Sequence, residues 1–397
     1  MISKNAQTSI RAGTPLRGHR LAVAIGAALL CAVATRAIAQ EIVTPKNVMP
    51  LEDAFRGHFL LGTAPSIAVL RGQDPLAESL ARIHFSAFTP ENSMKPEALQ
   101  RVRGQFTFQD ADALVQMAEQ SGAVAVGHTL VWHSQTPSWF FQNAQGQPLA
   151  REEALRNMRD HIAAVVGRYK GRVKQWDVVN EAISDGGDAI LRDSPWRRAI
   201  GDDYIAEAFR AAHRADPDAL LTYNDYGNES GPKRDKNLRL LKSLLDAGVP
   251  VHAVGLQCHW RLGSAPLEET EKSIGMYAAL GLKVIVSELD IGVLPTRTQS
   301  ADIAAREAGN AASNPYVAGL PAEVSEKLAQ SYAQAFALFL RHKNVISRVT
   351  LWGTHDGVSW LNDFPIRGRT DYPLLFDRAG QPKAAFFAVQ KAGREVK

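Results

Sequence analysis

With 397 residues, 45% of them apolar and 22% charged, the chain has the composition of a folded protein with a large core, which excludes disordered and low-complexity classes. Its formal charge of +4 is concentrated at the start: Lys4, Arg11, Arg17, Arg20 and Arg36 are five of the 45 basic residues, so 40 remain against 41 acidic ones. A near-neutral remainder carries no electrostatic footprint for nucleic acid.

Residues 1–39 read as a secretory signal. A basic region ends at Arg20, an apolar run follows from Leu21 to Leu30, and Ala37-Ile38-Ala39 offers a small-x-small site before Gln40. The run is short for a membrane span. The expectation is cleavage near Ala39, export to the periplasm or the medium, and no membrane attachment afterwards. Cys31 would leave with this segment, and Cys258 alone cannot form an intramolecular disulfide.

A polar lead-in runs from Gln40 to Asp53. Short apolar runs then recur at Phe59–Gly62, Phe85–Phe88, Ala123–His128, Gln175–Asn180, Leu220–Asn224, Val251–Gln257, Leu282–Glu288 and Arg348–Trp352. Most lack polar alternation, as strands buried on both faces should. Helical patterns fall between them. Asp110–Ser121 closes on Gly122. Glu152–Lys170 carries Leu155, Met158, Ile162, Val165 and Tyr169 on one face. Asp235–Ala247 ends on Gly248, and Ala322–His342 is the longest.

Eight strands alternating with helices predict an α/β fold, and the periodicity by itself fits either a barrel or a doubly wound sheet. Polar residues gather after the strand ends all the way round, which selects a single-domain (β/α)8 TIM barrel over residues 40–397. The connection from Ile291 to Pro321 is long enough to be an ordered excursion over the barrel mouth that shapes a cleft.

The organising stretch is Trp176-Asp177-Val178-Val179-Asn180-Glu181-Ala182, a buried strand that stops on an amide and a carboxylate. Val284-Ile285-Val286-Ser287-Glu288-Leu289-Asp290 behaves the same way. Two such strands can hold Glu181 and Glu288 face to face, the arrangement glycosidic hydrolysis needs. Other strand ends carry amides, Lys95, His128 and His259. Trp132, Trp139, Trp260, Trp352 and Trp360 lie at or just past them, suited to stacking on sugar rings. A metal site from His128, His133, Cys258 and His259 has no supporting spacing, and no cofactor is expected.

These motifs resemble the family-ten glycoside hydrolases, the endo-β-1,4-xylanase family. The matching segments are Glu91-Asn92-x-Met94-Lys95, Gly127-His128-Thr129-Leu130-Val131-Trp132-His133, Trp176 to Glu181, Gln257-Cys258-His259, Ser287-Glu288-Leu289-Asp290 and the Trp352 and Trp360 pair. The resemblance implies that Glu181 is the general acid/base, Glu288 the nucleophile, and that His259 with Asp290 behind it keeps Glu288 ionised. It implies Asn180 bonded to the sugar 2-hydroxyl, and Glu91, Asn92, Lys95, His128 and Gln135 along the non-reducing side. Gln257 belongs to the same substrate-binding set. Trp132, Trp352 and Trp360 would frame the sugar at the cleavage point, and Tyr226 would stack on the reducing side. The implied partners are xylan and xylo-oligosaccharides, with the chain acting as a monomer. His355 and Gly357-Val358 depart from the family's usual eighth loop. A β-1,4-glucanase and a non-catalytic polysaccharide-binding barrel are the competing readings. Intact Glu181, Glu288 and His259 weigh against the second.

Overall fold

A computed structural model describes residues 48–297 and 302–395. The predicted signal segment and Cys31 lie outside the described residues. Nine strands form one parallel sheet: β1 (Leu60–Thr63), β2 (Ala87–Phe88), β3 (Val124–Trp132), β4 (Val173–Asn180), β5 (Leu220–Asp225), β6 (Ala253–Leu256), β7 (His259–Arg261), β8 (Lys283–Gly292) and β9 (Ile346–Leu351). Each of β1 to β6 pairs with its sequence neighbour, β9 pairs with β1 and β8, and β6 pairs with β8, which closes an eight-stranded barrel. The short β7 lies outside that circuit, with His259 opposite Asp290 on β8. The (β/α)8 expectation holds.

Several boundaries differ from the sequence expectation: β3 runs on to Trp132 and β8 to Gly292, four residues past the expected ends, β4 starts at Val173, and the other ends shift by one or two residues. Two further differences have local reasons. The second strand keeps only Ala87 and Phe88, because Phe85 caps helix Pro75–His84, its amide still donating to the Ala81 carbonyl at 3.2 Å. Ser86 makes the link to the barrel, its amide donating to the Leu61 carbonyl at 2.8 Å and its Oγ accepting from the Leu61 amide at 3.1 Å. The sixth strand breaks after Leu256, since Cys258 adopts φ +57° and turns the chain before it resumes as β7.

Two apolar layers hold the helices on the barrel. Leu155, Met158, Ile162 and Val165 on helix Arg151–Arg168 are buried, as are Leu328, Tyr332, Phe336 and Leu340 on helix Ala322–Arg341. Burial of each such side chain contributes about 1.5–3 kcal/mol. Helix ends are fixed by caps: Asp74 accepts from the Ala77 amide at 2.9 Å, and Gly122 ends helix Gln109–Ser121 in the left-handed region. Among the described residues no helix is long and apolar enough to cross a membrane.

The barrel interior is polar. Thr63, Gln175, Asp177, Thr222, Ser287, Arg348 and Thr350 are all buried. The strands that carry the site are also irregular. Register shifts fall between His128 and Val131 on β3, Asp177 and Val179 on β4, and Val286 and Leu289 on β8. A bulge breaks the in-out alternation and re-aims side chains. That is how the adjacent Ser287 and Glu288 both reach Asn224.

Candidate active site

Glu181 follows the last residue of β4 and adopts φ +57°, a region that costs a non-glycine residue about 1–3 kcal/mol. Its backbone is held from both sides. The Glu181 amide donates to the Asn224 carbonyl at 2.8 Å, and Arg192 Nε donates to the Glu181 carbonyl at 3.1 Å. The carboxyl is 5% exposed. Trp132 Nε1 donates to Oε2 at 2.7 Å and Gln257 Nε2 to Oε1 at 2.9 Å. Burial pushes the carboxyl up to about 7, with Asp225 and Glu288 adding to the rise and the two hydrogen bonds opposing it.

Glu288, in β8, is equally buried and is set the other way. Burial alone would raise its carboxyl, but hydrogen bonding from His259, the charges of His128 and His259, and the Asn224 bond outweigh it and hold it below its usual range. His259 Nε2 lies 3.2 Å from Glu288 Oε2, and its Nδ1 lies 2.9 Å from Asp290 Oδ2. Burial disfavours the imidazolium, yet Asp290 and Glu288 on its two sides raise His259 to about 10. At neutral pH both ring nitrogens then carry protons and both bonds are donated by His259. Trp360 Nε1 donates to the same Asp290 oxygen at 2.8 Å.

A chain of amides joins the two carboxyls. Asn224 Nδ2 donates to Glu288 Oε1 at 2.7 Å and to Asn180 Oδ1 at 2.9 Å, and Ser287 Oγ donates to Asn224 Oδ1 at 2.6 Å. Gln257 Nε2 lies 3.4 Å from the same Asn180 oxygen. Asn180 Oδ1 is therefore committed to protein donors, leaving its Nδ2 to face a ligand.

Lys95, His128, Trp132, Asn180, Glu181, Gln257, His259, Glu288, Trp352 and Trp360 line one pocket. Lys95 Nζ donates to Asn92 Oδ1 and Gln135 Oε1, both at 3.0 Å, and stands 4.7 Å from the Trp132 ring centre. Asn92 and Gln135 thus flank the pocket through Lys95. Burial holds the half-buried Glu91 carboxyl above its usual range, opposed by the charge of Lys95. His128 Nδ1 is tied to Asp177 Oδ2 at 3.0 Å, so Nε2 is the nitrogen left for a ligand. Tyr226 sits apart, in the neighbouring hollow that His259 also lines. It is 5% exposed, its hydroxyl is held by Asp185 and Arg192, and Lys233 Nζ caps one ring face at 3.3 Å.

The expected tryptophan set divides. Trp132, Trp352 and Trp360 reach the pocket, whereas Trp139 stacks on Phe140 and donates to the Gln100 carbonyl. Trp260 is buried, donates to Glu229 and packs on Phe339. Cys258 is buried, and burial raises its thiol. Among the described residues no group of His, Cys, Asp or Glu is arranged to hold a metal ion. The sequence reading gave no role to Asn224, Asp177 or Ile303. Asn224 had a signal, an amide closing an otherwise apolar run. Ile303 lies on the connection after β8 and lines the pocket, and its neighbour Asp302 is 3.5 Å from Arg192. Nothing local in the sequence marked it.

The arrangement places one carboxyl that keeps its proton near neutral pH beside one that has already lost it. Such a pair can donate a proton to a leaving group on one side and offer a carboxylate on the other. The family model for Glycosyl hydrolase family 10 matches residues 50–392. The chain is 43% identical over 343 residues to an endo-1,4-beta-xylanase of Geobacillus stearothermophilus, covering 86% of this chain and 98% of the relative. A GH10 endoxylanase from a sugarcane soil metagenome superposes with TM-score 0.83 at 43% identity, over 86% of this chain and 99% of its own. A variant solved in complex with xylotriose gives TM-score 0.77 at 36% identity, covering 86% and 99%.

Proposed function

The chain belongs to glycosyl hydrolase family 10, and from that premise we propose that it is a retaining endo-β-1,4-xylanase with Glu181 as general acid/base and Glu288 as nucleophile. The observation that carries this reading is the unequal setting of two buried carboxyls in one pocket, Glu181 raised to about 7 and Glu288 lowered. Binding alone needs no such pair.

Glu288 attacks the anomeric carbon while Glu181 gives its proton to the departing glycosidic oxygen, which keeps the electrons of the broken bond. The sugar is then esterified to Glu288. Glu181, now a carboxylate, takes a proton from water as the water oxygen bonds the anomeric carbon, and Glu288 leaves as a carboxylate. Configuration is retained, which calls for carboxyl groups about 5–5.5 Å apart. Asn180 Nδ2 is the donor for the 2-hydroxyl, a bond that strengthens as the oxocarbenium character develops. Lys95, His128, Glu91, Asn92 and Gln135 serve the non-reducing side, and Trp132, Trp352 and Trp360 enclose the ring being cleaved. Gln257 and Trp132 hold Glu181 as well as lining the pocket. Xylan and xylo-oligosaccharides are the substrates on this reading, supported by the xylanase relatives and the xylotriose complex. The same proposal includes export directed by residues 1–39 and action as a monomer.

The deciding experiment measures reducing-sugar release from xylan and from soluble cellulose, beside Glu288→Ala. Strong release from xylan, little from cellulose and none with the variant is expected. Release mainly from cellulose overturns the substrate, and binding without turnover of either overturns the enzyme reading.

A further inference from the structure

Arg348 begins low on β9, opposite Ile285 of β8, and its side chain climbs inside the barrel. Nη1 donates to Thr350 Oγ1, two residues further up the strand, and to Thr89 Oγ1 at 3.1 Å, while Nε donates to Gln175 Oε1 at 3.3 Å. The residue is 1% exposed. All three partners are neutral, and Nη2 has none. A buried cation whose hydrogen bonds go only to hydroxyls and an amide is costly unless negative charge lies within reach.

Such charge lies directly above. Gln175 and Asp177 are alternate residues of β4 and both are buried inside the barrel, so Asp177 stands one step higher than the amide that Arg348 touches. Asp177 Oδ1 is buried without a partner, while its Oδ2 holds His128. Above Asp177 is the pocket with Glu288. Burial lowers the Arg348 guanidinium to about 10, and the charges of Asp177 and Glu288 oppose that fall. Interactions of this kind carry further in a water-excluded interior than in solution.

We propose that Arg348 is a positioning residue that acts on the pocket from below, supplying the positive charge that offsets the carboxylates of Asp177 and Glu288. Through Asp177 it also fixes the Nδ1 proton of His128, leaving Nε2 for substrate. Other groups face Glu288 too: Lys95 after β2, His128 from β3, Glu181 after β4, Asn224 from β5, and His259 with Asp290 behind it. Arg348 approaches from within the barrel, buried at 1% exposure, on the side away from the open pocket. The inference rests on the reading of Glu288 as the nucleophile.

The test compares wild type with Arg348→Met, Arg348→Gln and Arg348→Lys. One readout is kcat/KM on an aryl β-xylobioside from pH 4 to 9. The other is the melting temperature over the same range, which needs no turnover. Losing the charge should raise the acidic limb by about half to one pH unit in the Met and Gln variants, and Lys should leave it in place. The gap in melting temperature from wild type should widen by about 2–4 °C between pH 4 and 7, because the carboxylates lose their counter-charge only when ionised. A uniform rate loss with a constant gap would mean that Arg348 only fills space, and overturns the proposal. Wild type that cleaves no xyloside overturns the proposed function instead, while the melting gap still decides the role of Arg348.

Discussion

Asn224 Nδ2 lies 2.7 Å from Glu288 Oε1, and the same nitrogen lies 2.9 Å from Asn180 Oδ1. One buried amide therefore ties the β8 carboxylate to the end of β4. Its orientation is fixed because Ser287 donates to its oxygen. Asn224→Ala removes a hydrogen bond to a charged group, which contributes about 1.5–3 kcal/mol. The expected result is a fall in kcat/KM of about 10- to 100-fold, with the acidic limb of the pH profile moved upward. Steady-state kinetics from pH 4 to 8 decide it, and an unchanged limb would show that Asn224 does not help to ionise Glu288.

Gly255 supplies the space for that amide. A Cβ at this position would stand 2.2 Å from Asn224 Oδ1. Gly255→Ala must push Asn224 away from Glu288, so it should lower kcat although it alters no group that touches substrate. Overpacking of this kind also costs about 1–3 kcal/mol of stability. Kinetics and thermal melting of the one variant measure both, and normal kcat with a lowered melting temperature would refute the link.

The alkaline limb should report Glu181. With its carboxyl raised to about 7, the acid is lost as pH rises through neutrality, and kcat/KM should fall above that point. Stability follows the same group. A carboxyl raised on folding adds stability that is full below about pH 4.5 and lost as pH rises through about 7. Glu181→Gln mimics the protonated form, so it should melt close to wild type at pH 5 and higher than wild type at pH 8. The gain at pH 8 is about 1–3 kcal/mol. Equal melting temperatures at both pH values would be evidence against a buried, raised Glu181.

His259 owes its high value to two carboxylates working against burial. Replacing one of them, Asp290→Asn, should bring the imidazole back toward neutrality. By NMR, His259 should stay protonated through pH 8 in wild type and titrate below that in the variant. Once the ring is neutral it offers a single N–H, so activity should fall about tenfold or more across the range where it loses its proton. An unchanged titration would mean that Asp290 is not the group holding the charge.

Much of this was legible along the chain. The runs ending on Glu181 and Glu288 marked the two strands, and Gly122 and Gly248 marked helix ends, because each signal is local. The pocket residues from Lys95 to Trp360 stood at strand ends, and in a parallel barrel all those ends open on one face. Errors arose where a hydrogen bond or a packing partner outside the apolar run decided the outcome. Phe85 reads as strand although its amide closes the helix before it on Ala81, and Trp260 reads as a sugar platform until Glu229 and Phe339 claim it.

Which residue types stand at the barrel mouth follows from the chain alone, since hydrophobic period and strand punctuation are properties of neighbouring residues. Their protonation and aim come from the closed barrel. Glu181 and Glu288 are the same side chain at two strand ends. They differ because Trp132 and Gln257 meet one while His259 and Asn224 meet the other, and because bulges on β3, β4 and β8 turn adjacent residues toward the same pocket. Burial, charge and register across strands are sums over residues far apart in sequence, and they exist only once the barrel closes.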